Sequence, residues 1–154
     1  MKIGSREINS GKPVYVVAEA GINHNGNLQI AKNLIKTAAE CGADAVKFQT
    51  FFPDEEFSQK IDPKLYELLK KWSFTKLSDN LELKRYSSKN KIDFFSTPVG
   101  GKSLKLVNNI GVKCIKIASG SLTNVVLLKA VARLGLPTII STGLSKISEI
   151  SSAV

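Results

Sequence analysis

Two lysines inside short apolar segments are the residues best suited to chemistry in this sequence of 154 residues. Lys47 lies in "ADAVKFQT" and Lys116 in "VKCIKIAS", and both segments have the apolar, β-branched composition of buried strands. An ammonium group that is buried without a counter-charge costs several kcal/mol or loses its proton near neutral pH. We therefore expect a phosphate or carboxylate ligand to bind between the two lysines. The alternative is a permanent ion pair between each lysine and a carboxylate such as Glu19.

Polar side chains also lie near the ends of the apolar runs. Glu19 lies near the end of "VYVVAEA", Gln49 near the end of the first lysine's run, Ser119 at the end of the second, and Ser141 in "LPTIIST". The carboxyl ends of parallel strands meet at one edge of a sheet, where α/β proteins bind their ligands, so we expect one shared site. Hydroxyl and turn N–H groups there would add donors for an anion.

Side-chain alternation places both lysines in the interior of the predicted sheet. Successive strand residues point to opposite faces, so Lys47 shares a face with Gln49, and Lys116 shares one with Cys114. Helices are expected to cover the alternate residues of these strands, which are Val46, Phe48, Ile115 and Ile117. Two neighbouring ammonium groups also suit a second chemistry, because a lysine with a lowered pKa can form a Schiff base, as in class I aldolases. The residues alone leave both chemistries open.

Five apolar runs predict the strands that carry these residues, at 14–20, 43–50, 92–97, 112–119 and 136–142. Helical patterns separate them. Asn27 and Asn124 are predicted to cap two of the helices, which end near Gly42 and Gly135, and weaker helices are predicted over about 77–90 and 102–110. Strict alternation of strand and helix predicts βαβ units and a parallel sheet in a single domain over 1–154.

Two segments depart from this alternation. The start, "KIGSREINSGK", predicts a short β-hairpin. Residues 51–75 form an insertion whose helix is capped by Asp62 and begins at Pro63. One face of that helix collects the apolar residues Leu65, Leu68, Leu69 and Trp72. Trp72 is expected to pack the insertion onto the body of the domain.

Composition excludes several classes of protein. The formal net charge is +9, but the lysines are scattered and form no run with interleaved aromatic residues, so nucleic acid is not expected as a partner. No apolar run approaches the ~20 residues of a membrane span, and no leader pattern opens the sequence, so a cytoplasmic protein is expected. Cys41 and Cys114 lack metal-ligand spacing and are expected to be free thiols.

The motifs "AEAGINHNGN", "GADAVKFQTF", "FFSTP", "IKIASGSLTN" and "IISTG" resemble, in order and spacing, those of the sialic acid (N-acetylneuraminate and related nonulosonate) synthase family. The resemblance covers the N-terminal part of that family's catalytic barrel. It implies an α/β fold that is an incomplete (β/α)8 TIM barrel of about five βα units, preceded by the hairpin. The family's C-terminal antifreeze-like domain has no counterpart here.

The resemblance also implies an activity, the condensation of phosphoenolpyruvate with an N-acetylmannosamine-type sugar to give a sialic acid or related nonulosonate and phosphate. Lys47 and Lys116 would be catalytic residues that hold phosphoenolpyruvate, with Ser119 and Ser141 as further contacts. Gln49 would bind the sugar. Glu19 would be a third catalytic residue, which faces the reacting carbons. A divalent metal, Mn2+ or Mg2+, would polarise the aldehyde, and the family forms dimers.

The sequence departs from the family in three ways. Ser121 stands where the family usually has an acidic residue. The family's metal-binding histidines belong to later strands, and His24, the only histidine, is expected to make structural hydrogen bonds in an Asn/Gly turn, so no metal ligand is assigned. The third departure is the number of strands, about five where the family's barrel has eight. Both edges of the sheet would then be unpaired, so this chain alone is expected to be weakly active, inactive, or a non-catalytic anion-binding remnant.

Overall fold

The strands of the protein form two sheets in a computed structural model that describes residues 1–154. The strands are β1 (Lys2–Ile3), β2 (Arg6–Glu7), β3 (Val17–Gly21), β4 (Ala45–Thr50), β5 (Asp93–Pro98), β6 (Ile115–Ile117) and β7 (Thr138–Ile140). The first two pair as an antiparallel hairpin, and the other five form a parallel sheet in which every strand lies beside its neighbour in the chain. The predicted hairpin and the α/β class are confirmed.

Helices connect the strands of the parallel sheet. They are α1 (Leu28–Glu40), α2 (Pro53–Glu56), α3 (Pro63–Trp72), α4 (Leu77–Lys89), α5 (Gly101–Ile110), α6 (Val125–Ala132) and α7 (Ile147–Ala153). The predicted caps are confirmed, because the side chains of Asn27, Asp62 and Asn124 accept hydrogen bonds from N–H groups in the first turns of α1, α3 and α6. None of the helices combines the length and apolar content needed to cross a membrane.

Three strands are shorter than the sequence predicts. β3 begins at Val17 because the Val16 N–H donates to the Asp44 carboxylate, at 2.7 Å, in place of a strand partner. β6 ends at Ile117, since Ser119 already belongs to a 3-10 turn. β7 begins after Pro137, which has no N–H to donate. Apolar composition predicted each strand, whereas a side-chain hydrogen bond, a 3-10 turn and a proline set the ends of these three.

The main core lies between the parallel sheet and its helices. It is a cluster of 18 buried residues that includes Val46 and Phe48 of β4 and Ile115 and Ile117 of β6. These are the alternate strand residues for which helix packing was predicted, and the prediction is confirmed. The opposite face of the sheet therefore carries Lys47 and Lys116.

The hairpin covers the amino-terminal end of that opposite face. Ile3 is fully buried in a small cluster with Ala45, Phe95 and Cys114. Cys114 is buried and Cys41 exposed, both thiols are free as expected, and burial raises the pKa of the Cys114 thiol to about 11. The Cys114 thiol is therefore protonated at pH 7 and a poor nucleophile.

Charged and phenolic groups fasten the hairpin to the amino ends of the strands. Arg6 forms an ion pair with Asp44, and its guanidinium lies 5.2 Å from the centre of the Tyr15 ring. The Tyr15 hydroxyl donates to Asp93 at 2.8 Å, and Lys113 contacts the other oxygen of Asp93 at 2.6 Å. Burial, reinforced by the bond to Asp93, raises the pKa of Tyr15, so the phenol stays a donor.

The apolar face of α3 is less buried than its pattern predicts. Only Leu69 is buried, whereas Leu65 and Leu68 keep 39% and 41% of their surface exposed. Trp72 is half-buried at the end of α3. The insertion closely approaches the body at this end of α3, because a Cβ on Gly26 would lie 2.2 Å from the Lys71 carbonyl oxygen.

Removal of the Ile3 side chain beyond its β-carbon should destabilise the protein. Ile3 is 0% exposed, and Ile→Ala at such a position lowers the free energy of unfolding by about 2–5 kcal/mol. Ile61→Ala is the matched control, since Ile61 is 86% exposed and should change stability by less than ~0.5 kcal/mol. Urea denaturation of both variants measures the difference, and equal stabilities would show that the hairpin does not pack in solution.

Candidate active site

Glu19 and Lys47 lie side by side at the carboxyl end of the parallel sheet. They are paired in the register of β3 and β4, so their side chains extend from the same face. The Lys47 ammonium forms an ion pair with Glu19. The lysine side chain is only 12% exposed, whereas that of Glu19 is 52% exposed, so the carboxylate remains accessible from solvent.

Lys116 is held by neutral dipoles instead of a carboxylate. Its ammonium donates to the Ile117 carbonyl oxygen at 2.8 Å and to the Ser141 hydroxyl, and it forms no ion pair. Burial lowers the pKa of Lys116, the positive charge of Lys47 lowers it further, and the charge of Glu19 opposes both effects. The ammonium groups of Lys47 and Lys116 thus interact electrostatically on one face of the sheet.

The sequence left two environments open for each lysine, an ion pair with a carboxylate or an ammonium without a counter-charge, and the two lysines differ in this respect. An ion pair is present at Lys47, where Glu19 supplies the counter-charge. Lys116 has only a hydroxyl and a carbonyl, which carry no net charge. The three charged groups sum to one net positive charge, centred on Lys116, and an anion would complete the balance.

The remaining predicted site residues, Ser119 and Gln49, lie near the carboxyl ends of β6 and β4. Ser119 begins the 3-10 turn after β6, and its hydroxyl lies 3.7 Å from the position of a Cβ on Gly143, in the loop after β7. Gln49 is exposed at the tip of β4 and makes no side-chain hydrogen bond. Ser121 is half-buried in the same turn as Ser119.

Thr97 is a site residue to which the sequence analysis assigns no role. Its hydroxyl lies 3.5 Å from the Lys47 ammonium, and its backbone is in register with Gln49 of the neighbouring strand. Alternation along "DFFSTP" would have placed Thr97 on the same face as Lys47 if the register of β4 and β5 had been known. The adjacent Ser96 points the other way and bonds to Thr50 at 2.5 Å in the core.

The turn after β3 is built around His24. The ring is 1% exposed, its Nδ1 accepts from the Gly26 N–H at 3.1 Å, and it stacks on Phe74 with ring centres 4.1 Å apart. Burial lowers the pKa of His24 to about 4, so the ring is neutral at pH 7. The expected structural hydrogen bond is confirmed, and the stack joins the turn beside Glu19 to the insertion.

The residues of this chain do not fit a metal ion. No three histidine, cysteine or carboxylate side chains lie close enough to share one, and the Nδ1 of His24 already accepts a hydrogen bond. The carboxylate nearest the site, Glu19, is paired with Lys47. We therefore derive no step through a metal ion from these residues.

The fold and the site together define a class of protein, an α/β protein with a cationic site at the carboxyl ends of a parallel sheet. A model of the NeuB family matches residues 34–154, and the chain belongs to this family. The resemblance to sialic acid synthases is confirmed.

Individual relatives agree with this assignment. The chain is 44% identical over 154 residues to the protein MJ1065 of Methanocaldococcus jannaschii. It is 39% identical over 168 residues to the N,N'-diacetyllegionaminic acid synthase of Legionella pneumophila, and 97% of the chain is covered. It superimposes with a TM-score of 0.92 and 38% identity on an N-acetylneuraminic acid (sialic acid) synthetase from Leptospira borgpetersenii, crystallised with citrate, over 99% of the chain.

The chain spans about half the length of these relatives. It covers 45% of the Methanocaldococcus protein, 47% of the Legionella synthase and 53% of the Leptospira chain. It corresponds to the N-terminal part of the family.

The buried, neutral His24 should make stability depend on pH. Its pKa is about 4 in the folded protein, against ~6.5 when unfolded, so below pH 6.5 the unfolded state binds more protons. The free energy of unfolding should therefore fall by about 3 kcal/mol as the pH falls from 7 to 4. His24→Gln provides the comparison, because carboxylates common to both proteins cancel in the difference. Urea denaturation at several pH values measures it, and identical pH slopes would contradict the prediction.

Proposed function

We propose that this chain forms the phosphoenolpyruvate-binding part of a nonulosonate synthase. The observation that carries the proposal is the partly buried Lys116 ammonium, which has no counter-charge and lies beside the Lys47–Glu19 pair. An anionic ligand would supply the missing negative charge. Relatives named as legionaminic acid and sialic acid synthases support this class of reaction.

Each polar residue of the site has a role in the proposal. Lys116, Ser141 and Ser119 bind the phosphate and carboxylate of phosphoenolpyruvate, with Lys47 as the second cation. Glu19 can release Lys47 to the ligand without becoming a buried unpaired charge, because its side chain is 52% exposed. Gln49 is free to bind the acetamido sugar, since it has no bond to break.

The proposed reaction forms one carbon–carbon bond and breaks one carbon–oxygen bond. Carbon 3 of phosphoenolpyruvate attacks the aldehyde carbon of the open-chain N-acetylated sugar, and the aldehyde oxygen gains a proton. Water then adds to carbon 2 and loses a proton, which Glu19 accepts in this proposal. The tetrahedral intermediate expels phosphate by cleavage of the C2–O bond. The two lysines stabilise the phosphate throughout because they are fixed before the reaction begins.

We also infer that the parallel sheet is an arc of an incomplete (β/α)8 barrel. Val17 of β3 and Ile139 of β7, the two outermost strands, line one cavity of about 530 Å3 together with Ile3 of the hairpin. Two strands at opposite edges of a flat sheet could not face a common space, so the sheet is curved. The interior of the arc is the face that carries the lysines.

Apolar side chains at both ends of the arc support its completion by further βα units. Val14 and Val16 before β3 are 80% and 50% exposed, and Ile147 of α7 is 78% exposed. Barrels have no edge strands, so closure would cover these ends and build the wall opposite Lys116. We expect the chain alone to have little or no activity.

The divalent metal, the dimer and a cytoplasmic location stay predictions, and any metal would need ligands beyond these residues.

Phosphoenolpyruvate binding tests the role of Lys116. Lys116→Ala should weaken the Kd by at least tenfold, about 1.4 kcal/mol, because a charge-assisted contact to the ligand is lost. Lys129→Ala is the control, since Lys129 is an exposed lysine of α6 and should leave the Kd unchanged. Isothermal titration calorimetry on this chain measures both. Equal affinities of wild type and Lys116→Ala would contradict the proposed site.

Phosphate release tests the reaction. A complete family member that contains these 154 residues should release phosphate from phosphoenolpyruvate only when an acetamido sugar and a divalent metal are added. A colorimetric phosphate assay with a panel of N-acetylated sugars measures this, and no turnover with any of them would contradict the synthase.

The lowered pKa of Lys116 supports Schiff-base chemistry as a second candidate function. Pyruvate with borohydride would trap such an adduct, and mass spectrometry would locate it at Lys116. We expect no adduct, because the synthase reaction uses Lys116 as a cation. A Lys116 adduct that is absent from Lys116→Arg would favour the aldolase instead.

A further inference from the structure

Glu55 is a carboxylate that leaves its own loop to bind a neighbouring helix. It belongs to α2, directly after the strand that carries Lys47 and Gln49. Its Oε1 accepts from the Lys102 N–H at 2.5 Å, and its Oε2 accepts from the Ser103 N–H at 3.0 Å. These N–H groups lie in the first turn of α5, where a helix has no partners of its own.

The sequence of α5 explains why an external carboxylate is needed. Its N-cap residue is Gly100, which has no side-chain oxygen to accept these bonds. Glu55 therefore replaces the missing cap from another loop, and its negative charge also lies at the positive end of the helix dipole. Asp54, the preceding residue of α2, forms an ion pair with the Lys102 side chain and strengthens the same contact.

Gly100 is also the residue that leaves room for this carboxylate. A Cβ at position 100 would lie 2.6 Å from Oε1 of Glu55 and 2.7 Å from its Cδ. The backbone there is extended, with φ at −153°, so space rather than conformation requires the glycine. The first glycine of "TPVGG" thus has a physical reason.

The contact joins the loops that follow two adjacent strands of the site. In the register of β4 and β5, Gln49 pairs with Thr97 and Thr50 with Pro98. Thr97 lies within 3.5 Å of the Lys47 ammonium, and the loop held by Glu55 begins two residues after Thr97. The Ser103 hydroxyl accepts from the N–H groups of Val99 and Gly100, so the whole loop is bound.

We propose that Glu55 is a positioning residue of the anion site, which holds the loop after β5 against the loop after β4 and so keeps Thr97 beside Lys47. Glu55 contacts no ligand in this role. The inference deepens the proposed function, on which its consequence for phosphoenolpyruvate binding rests.

Hydrogen–deuterium exchange tests the contact without reference to any ligand. Glu55→Ala should increase amide exchange several-fold over residues 98–104, because the Lys102 and Ser103 N–H groups lose their acceptor. Glu55→Gln should do the same with the side-chain size retained, since an amide can accept from only one of the two groups. Glu67→Ala, an exposed carboxylate of α3, is the control and should leave exchange in 98–104 unchanged.

A double substitution tests the geometry. Gly100→Ala alone should speed exchange in the same segment because its methyl group collides with Glu55. In the Glu55→Ala background, Gly100→Ala should have no further effect, since the obstructing carboxylate is gone. Additive effects of the two substitutions would overturn the proposed contact.

Calorimetry with phosphoenolpyruvate then separates positioning from mere stabilisation. Faster exchange together with at least a fivefold weaker Kd in Glu55→Ala and Glu55→Gln supports the proposal. Faster exchange with an unchanged Kd overturns the positioning role, and unchanged exchange overturns the contact itself. If the wild-type chain binds no phosphoenolpyruvate, the proposed function fails, and exchange in 98–104 still decides whether Glu55 fixes this loop.

Discussion

The partial burial of the Lys116 ammonium is the constraint on which the site depends. A cation that has lost part of its water must be compensated, and here the compensation comes from one carbonyl and one hydroxyl. These dipoles stabilise a charge only if they are fixed. Ile117 ends β6, and Ser141 directly follows β7 and donates its N–H to the Ile117 carbonyl oxygen at 3.0 Å. The neighbouring Lys47 and Glu19 cancel each other and leave the potential positive. The carboxyl end of the sheet thus has one positive charge that an anion can neutralise.

The amino end of the parallel sheet contains the contacts that stabilise the fold, and the carboxyl end contains the residues available for a ligand. The amino end contains the hairpin, the Ile3 cluster and the bonds of Asp93 to Tyr15 and Lys113. The carboxyl end contains less satisfied groups, such as Lys116 and the unbonded Gln49. This division follows from the parallel direction of the strands, because every loop that leads from a strand to the next helix lies at the carboxyl end of the sheet. Rigid packing at one end allows polar groups at the other to remain available for a ligand.

Much of this arrangement could be predicted from local sequence. Period-two alternation gave the inward direction of Lys47 and Lys116, and Asn27, Asp62 and Asn124 marked helix starts through their own side chains. Contacts between distant segments could not be predicted in this way. The Lys47–Glu19 pair depends on the register of two strands, and the Glu55 contact joins residues 47 positions apart along the chain. The exposed face of α3 was also missed, because amphipathic spacing does not say whether a partner surface is present.

Strand order has a consequence for how the chain acquires its structure. Because each strand of the parallel sheet pairs with the one made just before it, a nascent chain emerging from the ribosome always meets a template that already exists. The amino-terminal hairpin is the exception. Its Ile3 packs against Cys114, so the hairpin cannot complete its packing until a segment more than 100 residues further along the chain has been synthesised.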